Sequence, residues 1–175
     1  MSNLMAQSAM WSRVEHEIAV CCARISLGSD TASRLRTLFR QSVDWLYLLR
    51  LARQHGMTPL LYRHLSGTCA DMVPKAVLDQ LGEAFKENLQ NNLLLTAELL
   101  TLMQMFERQG IAAVPYKGPV LAVSVYGNLA LRQFRDLDIF VHKRDALKAR
   151  DLLIERGYRP EFPLIGNQDA VYLRT

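Results

Sequence analysis

The chain has 175 residues, half of them hydrophobic and 22% charged, with a net charge of +4. That length accommodates one good core, or a modest core beside a smaller helical domain, and the balance excludes a disordered or fibrous chain. No stretch approaches the ~18 uninterrupted apolar residues of a membrane span, and the opening MSNLMAQSAMWSRVEHE has no apolar centre flanked by basic residues.

The three cysteines, Cys21, Cys22 and Cys69, have no metal-type spacing, and an odd count with an adjacent pair is poor material for a disulfide framework. They read as small buried apolar side chains in a reducing, cytoplasmic protein. The positive excess is spread from Arg34 through Arg53 and on to Arg132, Arg135, Lys143 and Arg144. It is compatible with a polyanionic substrate, nucleic acid included, without indicating one, and solvated helix faces are the simpler reading of the N-terminal arginines.

From Trp11 to about Gly110 nearly every segment has helical spacing. One helix opens near Ser42 with Asp44 in its first turn, where negative charge suits the helix dipole, and ends before Gly56. Thr58-Pro59 restarts a helix, a hydroxyl at the cap and proline at the first helical position, and Ser66-Gly67-Thr68 ends it. Pro74 opens a third stretch running as far as Gln109, with an apolar stripe from Val77 to Met105 and candidate bends at Gly82 or Asn91-Asn92. Trp11, Trp45 and Tyr47 read as bundle packing. His16, His55, His64 and His142 show no ligand spacing, and Ser124 lacks the context of a serine nucleophile. Residues 1–109 are therefore expected to form a helical domain and 110–175 a second one.

The texture changes at Gly110. Residues 111–115 read as a short buried strand and Lys117-Gly118-Pro119 as a turn into a short helix, Val120 to Tyr126. Residues 136–141 form the clearest strand, followed by a helix from about Arg144 to Arg156 that Gly157 ends. Tyr158 to Glu161 starts another extended segment, and Ala170 to Arg174 suggests one more. The fold class expected is α+β, a helical N-terminal bundle followed by a mixed α/β core.

On a strand Asp136 and Asp138 point to one face, while Leu137 and Ile139 turn to the core. Two carboxylates so placed repel unless a cation or an arginine sits between them, and magnesium, a hard ion wanting oxygen ligands, suits the pair. The ordinary alternative is that one aspartate caps a turn and the other pairs with Arg135 or Arg132. Lys117-Gly118 adds weight to the metal reading, because a glycine between strand and helix lets a phosphate approach backbone N–H groups.

Taken together, Lys117-Gly118, the short helix ending at Tyr126-Gly127, Leu131-Arg132 and Arg135-Asp136-Leu137-Asp138-Ile139 resemble the uncharacterised nucleotidyltransferases of the DNA polymerase beta superfamily. The resemblance is close over residues 110–160 and looser over Leu51 to Tyr62. It implies that Asp136 and Asp138 bind Mg2+ and that Lys117 and Gly118 lie against a nucleoside triphosphate. Arg132 and Arg135 transfer less firmly: Arg132 either neutralises phosphate charge or orients Asp136. The implied reaction is in-line attack of an acceptor hydroxyl on the α-phosphorus with release of pyrophosphate.

The resemblance also implies a third carboxylate from a later strand, for which Glu161 and Asp169 are the only acidic residues after Glu155. The sequence stops at Thr175, directly after Val171-Tyr172-Leu173, where members of the family continue, so a shortened form with an incomplete metal site is expected. Two other readings follow from the same residues. One is a non-catalytic, binding or antitoxin-type descendant of the fold; the other is a helical nucleic-acid- or protein-binding module that uses its arginines. The acceptor is not encoded in any motif here.

Overall fold

The computed structural model describes residues 13–161. Five helices come first: α1 (Val14–Cys22), α2 (Ser29–Leu38), α3 (Trp45–Gln54), α4 (Thr58–Thr68) and α5 (Lys75–Arg108). Strand β1 (Ala113–Tyr116), helix α6 (Gly118–Ser124), a 3-10 turn (Leu129–Leu131), strand β2 (Asp138–Val141), a second 3-10 turn (Lys143–Asp145) and helix α7 (Ala146–Glu155) follow. The fold is α+β, dominated by helix, and no helix among the described residues is long and apolar enough to cross a membrane.

The helix boundaries differ from expectation in instructive ways. Asp44, not Ser42, caps α3: its carboxylate accepts the N–H of Tyr47 at 3.0 Å. Thr58 is already helical, with Met57 at the cap position and Pro59 in the first turn, where its missing N–H costs nothing. Helix α5 runs unbroken through Gly82, Asn91 and Asn92. Gly82 faces the Tyr62 ring, which a Cβ there would touch at 3.4 Å, in van der Waals contact. Helix α6 starts at Gly118 and is over by Ser124, before Tyr126. Residues 158–161 form no strand, and the expected extended segment at 170–174 lies outside the described residues, as does Trp11.

The described residues divide into two compact units, 13–96 with 117–136, and 97–116 with 137–161. In the first, α1 to α4 and the start of α5 enclose a core that includes Ile18, Leu35, Leu48, Leu61, Leu65 and Leu81. Trp45 stacks on Phe39 with ring centres 5.5 Å apart, and the Tyr47 hydroxyl meets His16 Nε2 at 2.7 Å, so both aromatic residues serve packing. Cys21, Cys22 and Cys69 are all buried, and burial pushes the Cys22 thiol up to about 12. Arg34 and Arg36 lie on the surface and pair with Glu17 and Asp71.

In the second unit β1 and β2 pair antiparallel, with Val114 opposite Phe140 and Tyr116 opposite Asp138. The alternate face carries Ala113, Ile139 and Val141, which pack with Leu137 on Leu102, Phe106, Ile111 and Ala149. Helix α7 ends at Gly157, whose φ of 100° is a backbone conformation that side-chain-bearing residues rarely adopt. There Glu98 of α5 accepts two hydrogen bonds from Arg156, both at 2.8 Å, and one from the Tyr158 hydroxyl at 2.8 Å.

Candidate functional site

The Lys117-Gly118 turn is the most unusual stretch of backbone among the described residues. Lys117 has φ 55° and ψ −134°, and among the described residues no other non-glycine residue has positive φ. Gly118 follows at φ 35°. A lysine held in that region stores on the order of 1–3 kcal/mol of strain, which persists only where the surroundings enforce it. Here the enforcement begins with α6 itself, because the strained residue's carbonyl accepts the Leu121 N–H at 3.1 Å and so opens the helix.

The segment just before the aspartates folds back onto this turn. Gly118 is buried, and a Cβ on it would sit 3.5 Å from the Asp136 carbonyl oxygen and 3.8 Å from Phe134 Cδ2. Arg132 Nη1 donates to the Gly118 carbonyl at 3.4 Å, and its guanidinium carbon lies 5.8 Å from the centre of the Phe134 ring. Gly118, Arg132 and Asp136 are thus brought together within one compact unit. Lys117, Arg135 and Asp136 are exposed.

Sequence reasoning missed what holds this segment in place. Asn88 and Asn92, one helical turn apart on α5, are both buried and direct their amides at the carbonyls of the 3-10 turn. Asn92 Nδ2 donates to Leu129 O at 2.6 Å and to Arg132 O at 2.8 Å. Asn88 Nδ2 donates to Ala130 O at 2.9 Å and, at 3.4 Å, also to Arg132 O. A short irregular segment leaves its carbonyls without helix or sheet partners, and buried carbonyls must find donors elsewhere. The available signal was a pair of asparagines at i and i+4 inside an apolar stripe, the pattern of a polar group facing inward. The Asn92 Oδ1 atom is itself buried without a partner among the described residues.

Asp138 is the first residue of β2 and half-buried, opposite Tyr116. The strand begins two residues later than expected, and Asp136 lies in a bend ahead of it. Side-chain alternation therefore describes Leu137 and Ile139, which do pack on the core, and Asp138, but it does not govern the direction of Asp136. Asp138 shares its face of the sheet with Tyr116 and Phe140, whose rings are 5.2 Å apart. Among the described residues no three or more His, Cys, Asp or Glu side chains cluster as a metal site. Of the two candidates for a third carboxylate, Glu161 is exposed and Asp169 lies outside the described residues.

A family model described as an uncharacterised nucleotidyltransferase matches residues 41–175, well over half of the sequence. The chain belongs to that family. No curated protein and no solved structure matches it. As a member of the nucleotidyltransferase family, the chain keeps every candidate residue inside the matched region, together with helices α3 to α5 and both asparagines that hold the 129–132 segment. The helical segment from residue 41 onward is therefore part of what defines the family.

Proposed function

We propose that this nucleotidyltransferase transfers a nucleoside monophosphate from a nucleoside triphosphate to an acceptor hydroxyl, in the manner of the DNA polymerase beta superfamily. In this reading the acceptor oxygen forms a bond to the α-phosphorus while the bond from that phosphorus to the bridging oxygen breaks. Pyrophosphate leaves and the hydroxyl proton passes to solvent. In this reading residues 110–175 make up the transferase core and residues 1–109 the helical domain, with the 117–136 segment of the core packed in the same compact unit as the helices of 13–96. The buried, unpaired cysteines suit a cytoplasmic protein.

The observation that carries this reading is the strained Lys117-Gly118 turn, with Arg132 and the Asp136 backbone folded against its glycine, in a chain of the nucleotidyltransferase family. Backbone strain of this kind clusters at sites where the chain meets a ligand. The Lys117 and Arg132 side chains bring positive charge to this turn, which suits a phosphate.

Asp136 and Asp138 offer the hard oxygen donors that Mg2+ prefers. Two carboxylates suffice for part of its shell, because this ion keeps several waters and takes substrate phosphate oxygens for the rest. Bound there, a divalent ion would lower the pKa of the acceptor hydroxyl and offset charge on the leaving group. The chain's own contribution is positioning: Asn88 and Asn92 fix the segment that carries Arg132.

The test is titration of ATP, GTP, CTP and UTP with and without magnesium, comparing the native chain with the double variant Asp136→Asn/Asp138→Asn. Magnesium-dependent binding that disappears in the double variant is the expected result. Binding indifferent to both the metal and the substitutions would refute the assignment of the site.

A further inference from the structure

Within the first compact unit, α3, the start of α4, α5 and residues 133–135 enclose an open cavity of about 680 Å3. That lies within the roughly 300–1,000 Å3 usual for small-molecule sites. Its lining is of two kinds. Leu49, Leu81, Leu95 and Phe134 supply apolar surface, while Arg53 and Arg135 bring two guanidinium groups and Gln80, Asn91 and Gln133 bring amides. Among the described residues neither Arg53 nor Arg135 has an ion-pair partner, although Glu87 also reaches the cavity.

The cavity is one side chain away from the Lys117-Gly118 turn. Phe134 lines it, and the same ring lies 3.8 Å from where a Cβ on Gly118 would be. Arg135 also lines it, immediately before Asp136 in the chain. A molecule filling the cavity would touch Phe134, which packs near Gly118, and Arg135, which adjoins Asp136 in the chain.

We propose that this cavity is the acceptor site, and that its occupant is a small hydroxyl-bearing organic acid with an apolar skeleton. The arginines match an anionic group, the amides match hydroxyls, and the leucines with Phe134 match the skeleton. An extended nucleic-acid strand fits less well: its repeating phosphates call for a basic track, whereas the lining here combines two arginines with the Glu87 carboxylate and several leucines. The acceptor role rests on the transferase reading; occupancy of the cavity by an organic acid does not.

The experiment uses 6-hydroxy-2-naphthoate as probe and 2-naphthol as its neutral counterpart, followed by backbone amide NMR of the full chain without magnesium or nucleotide. The acid is expected to shift the signals of Asn91, Gln133 and Arg135. Arg53→Gln and Arg135→Gln should each weaken that binding at least fivefold, and Ala84→Trp, which places an indole in the cavity, should abolish it. Asn91→Trp is a second plug at an exposed position, in case the first disturbs the fold. Equal shifts with 2-naphthol, no shifts with the acid, or binding that survives both plugs would overturn the proposal. So would an RNA oligomer that binds through Arg53 and Arg135 whether or not the cavity is plugged. Magnesium-dependent nucleotide binding is measured on the same samples. Its absence, with probe binding intact, overturns the transferase reading and the acceptor role with it; the converse overturns the cavity alone.

Discussion

Replacing Asn92 with alanine removes both bonds from Nδ2 to the carbonyls of Leu129 and Arg132 at once. Each buried hydrogen bond contributes about 1 kcal/mol net, so their loss costs about 2 kcal/mol. Arg132 O keeps a long contact to Asn88, but Leu129 O loses the donor that Asn92 provides, which adds about 1 kcal/mol. Against this, the variant also deletes the unpartnered buried Oδ1 atom, which returns a comparable amount. The net expectation is a loss of about 2 kcal/mol. Asn92→Asp should be worse, about 3 kcal/mol or more, because it turns an oxygen toward two carbonyls where a donor stood. Urea unfolding followed by circular dichroism, with an unchanged slope, reads both; in a chain of this size about 2 kcal/mol also lowers Tm by roughly 4–8 °C. Asn92→Ala within about 0.5 kcal/mol of the native chain, or Asn92→Asp milder than alanine, would refute the role given to this side chain.

The strain at Lys117 predicts that Lys117→Gly is more stable than Lys117→Ala by about 1–2 kcal/mol in urea, since both lose the ammonium and only glycine accepts φ 55° freely; equal stabilities would mean the turn is relaxed. The Arg156 guanidinium and then the Tyr158 hydroxyl hold Glu98 well below its ordinary value, at about 2. A lowered folded-state pKa means stability that is fully present above about pH 4.5 and lost as pH falls toward 2. The group is partly exposed, so the effect is at most about 1 kcal/mol, and acid unfolding of Glu98→Gln should lack this component. The buried Cys22 thiol, pushed up to about 12, should resist a thiol-reactive dye in the native protein at pH 8 and react on unfolding; prompt native-state labelling of Cys22 would contradict its burial.

Much of the fold is legible along the chain because the forces that set it act over a few residues. Helical spacing marks the helices, Pro59, Gly56 and Gly157 punctuate them, and alternation about Leu137 and Ile139 marks the core face of β2. Ends are less legible: Ser42 and Asp44 are both acceptable caps, and only the bond to the Tyr47 N–H decides between them. The start of β2 is the same kind of case. Residues 136–139 alternate polar and apolar, but pairing with β1 begins at Tyr116 opposite Asp138, which leaves Asp136 in the bend before it.

The candidate site divides along the same line. The sequence by itself determined its chemical vocabulary, a lysine-glycine pair and two closely spaced aspartates, because residue identity and spacing need no tertiary information. Only the tertiary structure decided that Gly118 meets the Asp136 carbonyl and Arg132, that Lys117 is held at positive φ, and that Asn88 and Asn92 support the 129–132 segment. Those asparagines reach carbonyls 37 to 44 residues away along the chain. An amide on a helix carries no mark of which distant backbone it will satisfy; that is settled when packing buries the two together and leaves the carbonyls no water to turn to.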